Sequence, residues 1–366
     1  MAGIYIHFPF CKQARHYCNF HFSTNGQFTD AYLKALEKEL HTRRDYLTGN
    51  VGTVYIGGGT PSLMSTEALD NLFERLNGSH TIEEEAEVTL EANPDDLNTF
   101  RDDHLQYLRG TQINRLSIGV QSFQDADLKF MNRAHSSEEA LSALKKAKSV
   151  GFDNITADLI YGTPTLSDKS WLNNIQRLID LEIPHISAYA LTVEAGTALD
   201  KFIKNGKVEA IDDHKVADQF EMLVEVLQSN GFEHYEISNF AKPGRYAKHN
   251  TNYWKGVPYL GLGPSAHSFD GIDRQWNIAN TPKYIKGIEE GKPEFEVENL
   301  KPKERFNEYI MTSLRTMWGV DLNQILERFG KDYHDHFESA VKEHIPSMIH
   351  QNDSIFTLNS KGKLYA

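Results

Sequence analysis

The stretch GIYIHFPFCKQARHYCNF, residues 3–20, sets a β-rich run, 3–8, directly ahead of a short loop that holds both cysteines of the chain, Cys11 and Cys18. Further runs rich in β-branched and aromatic residues follow at 53–57, 87–92, 114–120, 155–161 and 185–191. Between them the apolar spacing turns helical, as with Phe28, Tyr32, Leu36 and Leu40 on one face and Leu33 beside them. Ser136 followed by Glu139 has the spacing of a capping box, ahead of a helix that carries Leu141, Leu144 and Ala147 inward. Six strand-plus-helix units in series predict parallel strands with right-handed crossovers. Six also fall short of the eight that close a complete barrel. The expected fold class is therefore α/β, an open, partial (β/α)6 barrel whose working edge lies at the C-terminal ends of its strands.

Composition narrows the function classes. The chain has 366 residues, 40% of them hydrophobic, enough for one large domain and a smaller one. It lacks a run of about 18 apolar residues and a charged-then-apolar leader, so a cytoplasmic location is expected. A net charge of -13 argues against a nucleic-acid surface, which needs clustered Lys and Arg to neutralise phosphates. Two cysteines in one loop do not make a disulfide framework; they point to a metal or are unrelated thiols.

Polar residues collect where such a barrel would use them. GGGTP, 57–61, follows the second run; its glycines allow close backbone approach and leave N–H groups for a ligand, although a tight turn into a helix would look the same. Glu91 ends the third run in LEANP, Gln121 closes SIGVQSF after the fourth, Asp158 ends the fifth in ITADLIYG, and Tyr189 lies in the sixth. A single carboxylate at a strand end is commonly a loop cap. Several polar strand ends on one rim point to a ligand site.

These segments carry a resemblance. YIHFPFC, VYIGGGTPSLM, LEANPDDL, NRLSIGVQSF, MNRAHS, DLIYGTP, YEISNFAKPG, HNTNYW and GLGPSAHS are similar, in order, to segments of the radical S-adenosylmethionine superfamily. Within it the chain resembles the heme chaperones and their relatives, the oxygen-independent coproporphyrinogen III oxidases. Ten residues ahead of Cys11, Phe20 where the oxidases tend to have a fourth cysteine, and a short overall length favour the heme chaperones. The resemblance implies S-adenosylmethionine, a 4Fe-4S cluster and heme as bound groups. Cys11 and Cys18 match two of three cluster ligands, and Arg15 stands at the third. A guanidinium has only donors and stays protonated, so Arg15 cannot ligate iron. His16 is a minor alternative ligand. Tyr5, Tyr17, Gly58, Gly59, Thr60, Glu91, Gln121, Arg133 and Asp158 match positions that hold S-adenosylmethionine in the family.

Heme leaves two histidines to weigh, His249 in HNTNYW and His267 in PSAHS. His249 reads more readily as a loop-orienting residue that uses both ring nitrogens, and Tyr253 and Trp254 as core cover rather than as a porphyrin stack. The implied partners are heme and a membrane-associated heme acceptor, with a homodimer admitted and nucleic acid not. A radical enzyme acting on coproporphyrinogen III is the competing reading, and a degenerate paralogue a third.

The expected organisation is a barrel core at 1–230, a connecting region at 231–299 that contains HNTNYW, and a winged-helix-like domain at 300–366. In that domain, helices at 304–317 and 322–329 precede two strands around a turn containing Asn359 and Gly362. The family continues with a short helix past this point, so the domain is expected to be slightly truncated.

Overall fold

The computed structural model describes residues 1–99 and 102–366. Six strands form its centre: β1 (Ala2–Phe8), β2 (Val51–Gly58), β3 (Ile82–Ala92), β4 (Arg115–Gln121), β5 (Ile155–Tyr161) and β6 (His185–Ala190). They are parallel and hydrogen-bonded in chain order. Helices between them cover one face of the sheet. Thr29–Thr42 buries Tyr32, Leu36 and Leu40, while Asp168–Asp180 buries Trp171, Ile175 and Leu178. The capping box at Ser136 is formed in both directions, so two donors at the helix start are satisfied. Ala140 and Ala143 join Leu144 and Ala147 on the buried face of that helix, and Leu141 is only partly covered.

The segment 231–299 is integral to the same sheet. β7 (Glu233–Glu236) and β8 (Asn239–Ala241) extend it antiparallel beyond β6. The chain then passes through a helix, Lys248–Trp254, to the opposite edge, where β9 (Tyr259–Leu262) pairs parallel with β1. β10 (His267–Phe269), β11 (Arg274–Asn277) and β12 (Phe295–Glu298) continue antiparallel, giving twelve strands in all.

A second hydrophobic cluster, centred on Phe306, Ile325, Phe337 and Phe356, lies in the C-terminal region. Helices Pro302–Leu314, Leu322–Phe329 and Lys331–Val341 pack there on a small antiparallel sheet of β13 (Val320–Asp321), β14 (Ile349–Asn352) and β15 (Ile355–Leu358). The hairpin turn falls at Asp353 and Ser354, with Asp353 at φ 51°, and not at Asn359 and Gly362 as the sequence suggested. Asn359 instead caps a single helical turn, Ser360–Lys363, by accepting the Gly362 N–H. Asn and Gly serve hairpin turns and helix caps alike, which is why the pattern misleads.

Candidate functional site

The two ends of the barrel are built differently. At the N-terminal end of the strands, helix Lys248–Trp254 forms a floor. Its first N–H groups, those of Lys248 and His249, donate to the Glu87 carboxylate at 3.1 and 2.9 Å. A carboxylate at a helix start satisfies orphan donors and complements the dipole there. Glu87 also lies 3.9 Å from buried Arg115. His249 is 2% exposed, stacked on Tyr55, and hydrogen-bonded through one ring nitrogen to Thr53 Oγ1 (2.9 Å) and through the other to Tyr253 Oη (2.8 Å). Burial holds its pKa down at about 3. Both ring nitrogens being engaged, one as donor and one as acceptor, His249 is a structural residue in this arrangement.

A cavity of about 910 Å³ runs through the barrel from the C-terminal strand ends down to Arg115, Thr156 and Asn250, a size typical of ligand pockets. Tyr5, Tyr17, Gly58, Gly59, Thr60, Glu91, Gln121 and Asp158 all line it, with Cys18 and Arg15. Glu91 accepts from Tyr55 Oη (2.8 Å) and from the Gly58 N–H (3.0 Å). Burial raises its pKa, against those hydrogen bonds and the field of Arg15. Asp158 is pushed up to about 7 by burial and then by Glu91. Gln121 holds φ 65°, a conformation uncommon outside glycine that concentrates at functional sites.

The glycine turn is not an open nest. Gly58 N–H is held by Glu91, Gly59 N–H by Phe8 O (2.7 Å) and Thr60 N–H by Phe10 O (2.8 Å), so these donors are spent inside the protein. A Cβ on Gly59 would sit 2.5 Å from Phe10 O, so the glycine is required by the chain's own backbone. The turn docks the cysteine loop onto β1.

That loop is pinned from both sides of Arg15. Asn132 Nδ2 donates to Ala14 O (2.7 Å), and His16 N–H donates to Met131 O (3.3 Å). Lys12 pairs with Asp95 and Asp96. Arg15 Nη2 donates to Asn93 Oδ1 (3.2 Å), and Arg133 Nη2 donates to the same oxygen (2.8 Å) and to Gly119 O (2.8 Å). Asn93 Nδ2 in turn donates to Thr60 Oγ1 (3.1 Å). Asn93 thus ties the glycine turn, the cysteine loop and Arg133 together. Sequence reading passed over Asn93 and Asn132, although each sits within a quoted motif, LEANP and MNRAHS. Arg133 itself lines a small adjoining cavity beside Arg15, Thr60 and Asn93 and does not line the large one.

The donors present do not fit an iron-sulfur cluster held by three thiolates. Cys11 is buried, Cys18 half-buried, and both are free; burial pushes the Cys11 thiol up, against the pull of Arg15. Among the described residues, no group of three His, Cys, Asp or Glu is placed to hold a metal ion. His16 is turned aside, with Nδ1 3.0 Å from Phe130 O and its ring edge-on to Phe202. Glu91 and Arg15, an acceptor for an amine and a donor for a carboxylate, line one cavity.

His267 lies outside both ends, exposed on β10 opposite Trp276 of β11, with the two rings stacked at 5.5 Å. Burial and then Arg274 lower its pKa.

Comparison with known proteins bears on these features. The Radical SAM superfamily is matched by residues 5–178. The chain is 33% identical to "Heme chaperone HemW" of Bacillus subtilis over 369 residues, covering all of this chain and 97% of that protein. It is 37% identical to the Escherichia coli protein of the same name over 270 residues, 72% of this chain and 69% of that one. The solved structure of coproporphyrinogen III oxidase (HemN) from Escherichia coli, a radical SAM enzyme, superposes with a TM-score of 0.84 at 23% identity, over 100% of this chain and 88% of the oxidase. That likeness is one of fold.

Proposed function

We propose a function from one premise, that this chain belongs to the HemW heme chaperone family of the radical SAM superfamily: it binds heme and passes it to a membrane-associated acceptor. The observation that carries the reading is the 33% identity to a heme chaperone along nearly the whole of both chains. The oxidase shares the fold at lower identity, which weighs less for function. Among the described residues no helix is long and apolar enough to cross a membrane, and we place the protein in the cytoplasm.

Arg15 disables the cluster half of the cofactor site. Replacing a thiolate by a guanidinium changes the local charge by two and removes a ligand, while the hydrogen bonds around Ala14 and His16 hold the loop in place. For heme, His267 is the better axial candidate of the two histidines. Its imidazole is exposed, with burial and Arg274 favouring the neutral, ligand form, next to the flat face of Trp276. His249 would have to abandon two hydrogen bonds.

Optical titration with heme tests the proposal. The unmodified chain is expected to bind one heme per chain, His267→Ala to lose the axial-ligand signature, and neither to decarboxylate coproporphyrinogen III. Absence of stoichiometric heme binding, together with decarboxylation by a reconstituted Arg15→Cys version, would replace this reading by the oxidase one.

A further inference from the structure

Arg15 and Arg133 place two guanidinium groups around a single amide oxygen, at 3.2 and 2.8 Å. Among the described residues neither has a carboxylate within ion-pair distance, and Arg133 Nη1 is buried with no hydrogen-bond partner. Adjacent cations without a counter-ion repel one another and pay for their desolvation, unless an anion joins them. Glu91 lines the same cavity as Arg15 and has hydrogen-bond donors but no cation bonded to it. The cavity lining therefore holds a cation and an anion that feel each other's field without forming an ion pair.

A free α-amino acid group, which carries its carboxylate and its ammonium on one carbon, complements a neighbouring cation and anion of this kind. We propose that Arg15 replaces the missing iron as the carboxylate anchor, so that this chain binds an adenosyl amino acid, S-adenosylmethionine or its thioether product, without any cluster. The guanidinium takes the carboxylate as a charge-assisted, fork-shaped donor. Glu91 takes the ammonium. Asn93 is the positioning residue, since its Oδ1 holds Arg15 and its Nδ2 holds Thr60. Arg133 stands behind Asn93 and fixes its orientation. A cavity of about 910 Å³ leaves room for the nucleoside beyond the amino acid. The site would then be a binding site with no electron source, occupied by the same small molecule in a different role.

The inference rests on the reading that Arg15 excludes the cluster, and iron analysis of the same sample separates the two. Calorimetric titration of iron-free protein with S-adenosylhomocysteine and with 5′-methylthioadenosine, which lacks the amino acid, is the test. The unmodified chain is expected to prefer S-adenosylhomocysteine by about 10- to 100-fold, the range of a charge-assisted hydrogen-bonding pair. Arg15→Met is expected to lose most of that preference while binding 5′-methylthioadenosine as before. Equal affinity of the unmodified chain for the two ligands needs no variant and would overturn the proposal, as would an undiminished preference in Arg15→Met or no binding of either ligand. About four irons per chain in the untreated protein would instead overturn the reading beneath it.

Discussion

The floor and the rim of the barrel use the same residue types to opposite ends. On the floor, His249, Glu87, Thr53 and Tyr253 satisfy one another, and the buried charge of Glu87 has two N–H donors and Arg115. On the rim, Arg15, Arg133 and Glu91 are hydrogen-bonded by neutral partners and make no direct ion pair, although the field of Arg15 reaches Glu91. Polar groups that satisfy one another stabilise a fold, whereas buried charges left open call for a ligand. The difference separates the HNTNYW segment, whose histidine secures the barrel, from the cysteine loop, where the proposed ligand would bind.

The sharpest way to break that comparison is to remove a floor residue. His249→Ala is expected to lower stability by about 2–4 kcal/mol, because it leaves Thr53 Oγ1 and Tyr253 Oη without their partner and opens a cavity. Urea denaturation measures it. A change below about 1 kcal/mol combined with loss of heme binding would move His249 from structure to function.

Asp158 sharpens the rim side through pH. Its folded-state pKa, near 7, lies above its ordinary value of 3.8, so the native state holds a proton more readily than the unfolded chain does. The contribution of this group to stability is complete below about pH 4 and declines as pH rises toward 7. Glu236, also pushed up to about 7 chiefly by burial, acts with the same sign. Asp158→Asn is therefore expected to raise the urea midpoint at pH 8 and to leave it nearly unchanged at pH 4. A lower midpoint at pH 8 would show that the carboxylate is compensated after all.

The smallest effect is expected at the residue with the largest functional one. Arg15→Met should change stability by no more than about 1 kcal/mol, since it gives up one hydrogen bond to Asn93 and relieves repulsion with Arg133. Thermal unfolding followed by circular dichroism decides this. A loss above about 3 kcal/mol would make Arg15 a second structural keystone and erase the contrast with the floor.

Much of the rim was legible because strand ends are local features. Runs rich in β-branched and aromatic residues located the six parallel strands, and polar residues such as Glu91 and Gln121 do sit at strand ends, whereas Asp158, read as ending the fifth run, lies in the middle of β5. The pairing of β9 with β1 joins Tyr259 to Gly3, and no local pattern signals so distant a contact. The four-residue strands around it are too short for a periodicity. Asn93 and Asn132 were missed for a related reason. Their partners, Arg15 and Ala14, lie 78 and 118 positions away, and an asparagine beside a strand or helix end looks like an ordinary turn residue. The glycine turn misled in another way, since its composition shows room for a ligand but not that Phe8 and Phe10 already occupy its N–H groups.

Iron and sulfide content after anaerobic reconstitution tests the central claim most directly, with the unmodified chain beside Arg15→Cys. The account predicts about four irons per chain in the restored version only, as a three-thiolate site of this cluster type requires. A full cluster in both would contradict it, because some other group would then be completing the site around Arg15.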